Sequence, residues 1–101
     1  MADLELNEVI HQPVRLQIMA ALTSMEPENE VNFTYLQDML KLTSGNLGAH
    51  LRKLEESGYV IVNKAFIDRK PCTFISASKA GRQAFREHVA VLESIINSKE
   101  N

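Results

Sequence analysis

The chain has 101 residues, 45% of them hydrophobic, and a formal net charge of −2. This suits one domain spanning 1–101, with a core small enough that pairing of two copies is a natural way to gain burial. No apolar run approaches a membrane span, the acidic opening residues are unlike a signal peptide, and Cys72 is alone, so a cytoplasmic protein without a membrane partner is expected.

The charge is unevenly placed. Residues 1–40 carry one cation (Arg15) against seven acids, a net of −6. Residues 41–70 carry six cations (Lys41, Arg52, Lys53, Lys64, Arg69, Lys70) against three acids, a net of +3, and residues 71–101 add +1, from four cations against three acids. A mildly acidic protein with a basic middle fits a polyanionic partner held by local, salt-sensitive contacts.

In chain order, Leu4 to His11 is expected to form a short helix with Leu6, Val9 and Ile10 apolar. Pro13 then suits the first turn of a second helix, largely buried through Val14, Leu16, Ile18, Met19, Ala21 and Leu22 and ending near Ser24. After a polar loop, Val31 to Phe33 is too short to stand alone as a strand but suits addition to a sheet edge. A helix from about Thr34 to Lys41 follows, with Thr34 as its expected N-cap and Gln37 at capping-box spacing. The next helix starts at Thr43 or Ser44 and ends near Ser57, where Gly58 supplies a left-handed stop.

Residues 44–57 carry the most information. Leu47, Leu51 and Leu54 form one apolar stripe at helical spacing. At about 100° per residue the opposite face collects Gly45, Asn46, Ala49, Arg52 and Lys53, small at its start and basic beyond. A helix lying in a DNA major groove needs small residues where its backbone comes close, polar groups for base edges and cations for phosphates. Gly45 and Gly48 each cost roughly 1 kcal/mol against Ala inside a helix. A structural alternative puts Gly45 in the inexpensive first turn and has Gly48 pack closely on a neighbour. The pair beside a basic face favours DNA.

Tyr59 to Phe66 is rich in β-branched and aromatic residues and reads as a strand, with Cys72 to Ala77 as its partner. The loop between them, Ile67 to Pro71, puts Arg69 and Lys70 at the tip of a hairpin, with an Asx turn expected at Asp68 and Pro71 limiting pairing. Charged loop tips are common on any surface, but directly after a helix–turn–helix this one fits a wing on the DNA backbone or minor groove. A last helix over 78–98 begins at Ser78 as N-cap. Its apolar positions are Phe85, Val89, Leu92, Ile95 and Ile96. So small a domain is not expected to cover all of Leu92, Ile95 and Ile96 internally, which points to a two-fold dimer through this helix assisted by Leu6, Val9 and Ile10. A terminal helix folded back on its own core is the alternative.

Six stretches of residues carry a family resemblance: Pro13 to Met19, Leu42 to Leu47, His50 to Glu55, Gly58 to Val60, Arg69 to Pro71 and Ala80 to Arg82. In that order they resemble the winged-helix transcriptional regulators of the ArsR and MarR kind, in particular the compact subgroup with a stand-alone winged-helix domain. The resemblance spans nearly the whole chain. It implies a mainly α fold in the order α-α-β-α-α-β-β-α: a three-helical core, a two-stranded wing and a C-terminal dimerisation helix. It also implies a homodimeric prokaryotic-type regulator on double-stranded DNA, with a palindromic operator. The expected DNA contacts are Ser44 and Asn46 at base edges, Gly45 and Ala49 at close approach, His50 packing beside phosphate, Arg52 and Lys53 on phosphate or guanine, and Lys64, Arg69 and Lys70 in the wing. Local capping is the alternative for Asn46, and Arg15, a cation in the acidic half, is expected to pair with a neighbouring carboxylate as readily as to meet DNA.

Other chemistries find little support. Metal sensing needs clustered thiolates, imidazoles or carboxylates, whereas His11, His50 and His88 are far apart in sequence and no paired-cysteine motif exists. No metal, cofactor or catalytic residue is expected, since neither Cys72 with His50 nor Glu87 with His11 or His88 shows a catalytic signature. The main rival is a winged helix used for protein–protein contact, which the acidic first half keeps open. RNA binding is a third reading.

Overall fold

The computed structural model of the chain describes residues 5–98. The elements are α1 (Pro13–Thr23), β1 (Val31–Asn32), α2 (Phe33–Leu40), α3 (Ser44–Glu56), β2 (Val60–Ile67), β3 (Lys70–Ala77) and α4 (Lys79–Ser98). The fold is mainly helical with a three-stranded antiparallel sheet in the order β1-β3-β2.

The helix expected over Leu4 to His11 is a single turn, Glu8 to His11, with Leu4 outside the described residues. Asn7 accounts for the difference. Its Oδ1 accepts from the backbone N–H groups of Val9 and Ile10 at 3.0 and 2.9 Å, which starts the turn, and Pro13 opens α1 only two residues after it ends. Gln12 then caps α1 through its side chain, which accepts from the Arg15 N–H at 3.0 Å. Ile10, expected on a dimer surface, is instead fully buried in this protomer's core.

The start of α2 also departs from expectation. Its N-cap is Asn32, whose Oδ1 accepts from Thr34 N–H at 2.8 Å, and Thr34 already lies inside the helix. Asn is at least as good a cap as Thr, and β1 delivers Asn32 in extended conformation. Lys41 ends α2 in the left-handed region at φ 55°, and α3 starts three residues later. Gly58, at φ 81°, takes the expected left-handed position after α3.

The hairpin is tighter than the sequence suggests. Ile67 pairs with Lys70, so the turn contains only Asp68 and Arg69, both left-handed at φ 52° and 65°. That is a two-residue turn of the type whose twist matches its strands. Lys70 and Pro71 therefore belong to β3, and Pro71 pairs with Phe66. Proline is tolerated there because β1 reaches only Phe74 and Ile75, leaving that end of β3 without a second neighbour. As the sequence allows, Val31 and Asn32 add to the sheet edge.

The core lies where α1, α2 and α3 meet the sheet. Ile18, Met19 and Leu22 of α1, Leu36 of α2 and the expected stripe Leu47, Leu51 and Leu54 of α3 close over Val60, Ile75 and Ala77. Each buried Leu or Ile contributes at most about 1.5–3 kcal/mol relative to exposure.

Helix α4 is fastened at its first turns. Ser78 Oγ accepts from the Gly81 N–H at 2.9 Å and donates to the Gly58 carbonyl at 2.6 Å, so the expected N-cap also ties α4 to the end of α3. Arg82 reaches across to the end of α1, donating to the carbonyls of Met25, Thr23 and Leu22 at 2.9, 3.3 and 3.5 Å. A cation there satisfies orphan carbonyls and complements the negative helix end. Further along, His88 is buried, and its Nδ1 accepts the Asn7 N–H at 3.2 Å. Beyond it the helix runs outward, with Ile96 60% exposed, in a molecule measuring 58 × 25 × 21 Å.

Candidate nucleic-acid interface

The orientation of α3 is set from both ends. Thr43 Oγ1 accepts from Asn46 N–H at 3.1 Å to start it, and the buried leucine stripe fixes its rotation. Ser44, Gly45, Asn46, Ala49, Arg52 and Lys53 are then all exposed on one broad face. Capping is the work of Thr43, which leaves the Asn46 side chain projecting from the first turn. Glu56, four residues after Arg52 and also exposed, makes the far end of this face mixed in charge.

The glycines have no packing role. A Cβ built on Gly45 or Gly48 meets nothing within 4 Å, so close packing does not explain Gly48. Gly81 is the contrast: its Cβ would press on the Tyr59 backbone, 2.8 Å from the carbonyl carbon and inside contact with the oxygen. That glycine is required by the fold; the two in α3 are not.

Between α3 and the wing runs a groove of about 260 Å³. Gly48, Arg52 and Glu55 line one side, Val62, Lys64 and Thr73 the other. Arg52 and Lys64, far apart in sequence, thus meet across one concave surface. Arg69 and Lys70 are exposed farther out on the same wing, at and beside the turn. Arg69 holds φ 65°, a conformation that costs a non-glycine residue about 1–2 kcal/mol. Phe66, which the sequence marks only as a strand residue, is 79% exposed beside that turn.

His50 is only half-buried and faces α1 rather than the wing groove. Burial lowers its pKa below the ordinary value, and the Arg15 charge lowers it further. A neutral imidazole is therefore favoured, consistent with packing more than with phosphate pairing. Among the described residues, the Arg15 Nε is buried without a hydrogen-bond partner, close enough to His50 for its charge to disfavour the imidazolium. Among the described residues no three His, Cys, Asp or Glu side chains converge as metal ligands, and no helix is long and apolar enough to cross a membrane.

The family model for a winged helix DNA-binding domain matches residues 14–96. An uncharacterized protein of Methanocaldococcus jannaschii is 38% identical over 82 residues, covering 81% of this chain and 86% of that protein. The structure is similar to that of a transcriptional regulator homologue from Pyrococcus horikoshii OT3, with TM-score 0.84 and 32% identity over 94% of this chain and 91% of that one. It shares its fold with MepR of S. aureus in a DNA complex, at TM-score 0.67 and 12% identity over 83% of this chain and 66% of that one. With the match running from α1 almost to the end of α4, the chain belongs to the winged-helix DNA-binding domain family.

Proposed function

We propose that this protein is a homodimeric, sequence-specific regulator of transcription that binds double-stranded DNA. Helix α3 enters the major groove, and the wing at residues 67–71 lies on the backbone or in the minor groove. The observation that carries the reading is the α3–wing groove, where Arg52 and Lys64 converge beside a glycine with open space around it. Ser44 and Asn46 reach base edges from the first turn, and Gly45 and Ala49 let the backbone approach. Lys53 and, at the wing, Arg69 and Lys70 hold phosphates; His50 supports the helix from its flank.

The dimer is assigned to α4 with help from the N-terminal segment. Val89, Leu92 and Ile95 are only half-buried and Ile96 is exposed, while Phe85 packs on the protomer's own core. Leu6 and Val9 are half-buried, and Leu6 shares a small groove with α4. Ile10, buried in the protomer's own core, is not part of this surface. Two recognition helices in such a dimer would meet major grooves about 34 Å apart on a palindromic site.

Ultracentrifugation at micromolar concentration, followed by duplex titration at two salt concentrations, tests both parts. A dimer whose affinity falls with salt, and falls markedly in Arg52→Ala, is expected. A monomer would remove the dimer, and an unchanged Arg52→Ala affinity would remove Arg52 from the interface.

A further inference from the structure

Phe66 stands out on the wing. At 79% it is the most exposed large hydrophobic side chain among the described residues. Its cross-strand partner Pro71 is exposed as well. Two residues before Phe66, Lys64 lines the groove against α3, as does its own partner Thr73. Strand alternation therefore puts Phe66 and Pro71 on the same side of the wing as that groove, about 7 Å closer to the tip. The two-residue turn at Asp68 and Arg69 sets the Ile67–Lys70 register, so the aromatic ring sits one pair from the turn, at a defined place on the hairpin.

What surrounds the ring identifies its partner. Lys64, Arg69 and Lys70 are all exposed within four residues of Phe66, with Asp68 the single acid in the turn. Three cations around an apolar ring complement a polyanion that also offers apolar surface. Duplex DNA offers this in its minor groove, where an apolar side chain can enter a base step while cations hold the phosphates.

We propose that Phe66, backed by Pro71, is a wedge that the wing inserts between base pairs in the minor groove. It enters at a pyrimidine–purine step, because TA and CA/TG steps unstack and kink most easily. Lys64, Arg69 and Lys70 hold the flanking phosphates. The wing thereby adds a kink, and with it a sequence preference at positions α3 does not touch. This inference rests on the DNA-binding reading above.

The test compares the wild-type protein with Phe66→Ala and Phe66→Leu on a selected duplex, using energy transfer between end-labelled dyes to read bending. Wild type should bend the duplex by about 20° or more. Phe66→Ala should lose the bend and the preference for a pyrimidine–purine step over an AA step, and bind roughly tenfold more weakly with its salt dependence intact. Phe66→Leu should retain most of both effects. Because the ring is exposed, circular dichroism and melting should be unchanged in either variant. Equal bending and step preference in wild type and Phe66→Ala would overturn the wedge while leaving DNA binding in place. So would a change in oligomeric state without a change in bending, which would make Phe66 a protein contact. Failure of the wild type to bind any duplex would overturn the underlying DNA reading, and the wedge with it.

Discussion

Replacing both α3 glycines by alanine should strengthen the fold and weaken DNA binding. Gly48 lies in the second turn of α3, where Gly costs roughly 1 kcal/mol against Ala, and Gly45 lies in the first turn, where the cost is smaller. Neither added methyl meets anything within 4 Å, and neither glycine has a positive φ, so no steric penalty offsets the gain. The double variant should gain about 1 kcal/mol, or about 4–8 °C in Tm for a domain of this size. Its methyl groups would hold the α3 backbone away from a groove floor. Losing one or two base contacts at about 1–3 kcal/mol each would weaken operator binding at least about fivefold. Thermal melting and duplex titration on the same preparations read both effects. A less stable variant would show that the fold needs these glycines after all. A more stable variant with unchanged DNA affinity would show that they do not mark the interface.

Gly81→Ala should act in the opposite direction, because the methyl would collide with the Tyr59 backbone, which cannot step aside as a side chain can. A loss of about 1–3 kcal/mol is expected from chemical denaturation; a gain would refute the close approach. Arg82→Ala should cost about 2–3 kcal/mol by stranding the carbonyls at the end of α1, with Arg82→Lys recovering only part because it lacks the planar fork. Equal melting of Arg82→Ala and wild type would show that this bridge does not stabilise the fold. His88 has a pKa below its ordinary 6.5, first through burial and then through the facing His11. The unfolded chain therefore takes up the proton first as pH falls. Stability present above about pH 6.5 should decline as the pH drops through that value toward the folded-state pKa. His88→Gln should flatten part of this decline in melting curves, with His50 supplying a similar component.

Much of this molecule was legible in local patterns. The Leu47, Leu51 and Leu54 stripe fixes α3 because helical period and burial coincide there, and Gly58 stops it for a reason contained in one residue. The hairpin is legible as two β-rich segments, but not its turn. Asp68 and Arg69 adopt left-handed backbone without a glycine to announce it, since pairing through Ile67 and Lys70 outweighs their intrinsic preference. The cap of α2 is ambiguous in the sequence because Asn32 and Thr34 are both good capping residues, and only the strand preceding the helix selects Asn32. The functions of Gly81 and Arg82 had no local signal, as both act on partners more than twenty residues away. A continuous N-terminal helix would turn Ile10 outward, whereas the turn begun at Asn7 places it in the core. Within the candidate interface, the exposed cations of α3 could be placed from periodicity alone. That Arg52 and Lys64 share one groove depends on how β2 packs against α3, which no local pattern encodes.

Selection from a random duplex pool asks whether the α3–wing surface reads duplex sequence. An inverted repeat with half-sites about ten base pairs apart should be enriched and bound with an affinity that falls steeply as salt is raised. No enriched sequence and no salt-dependent duplex binding would contradict such readout, and would point to this surface as a site of protein contact.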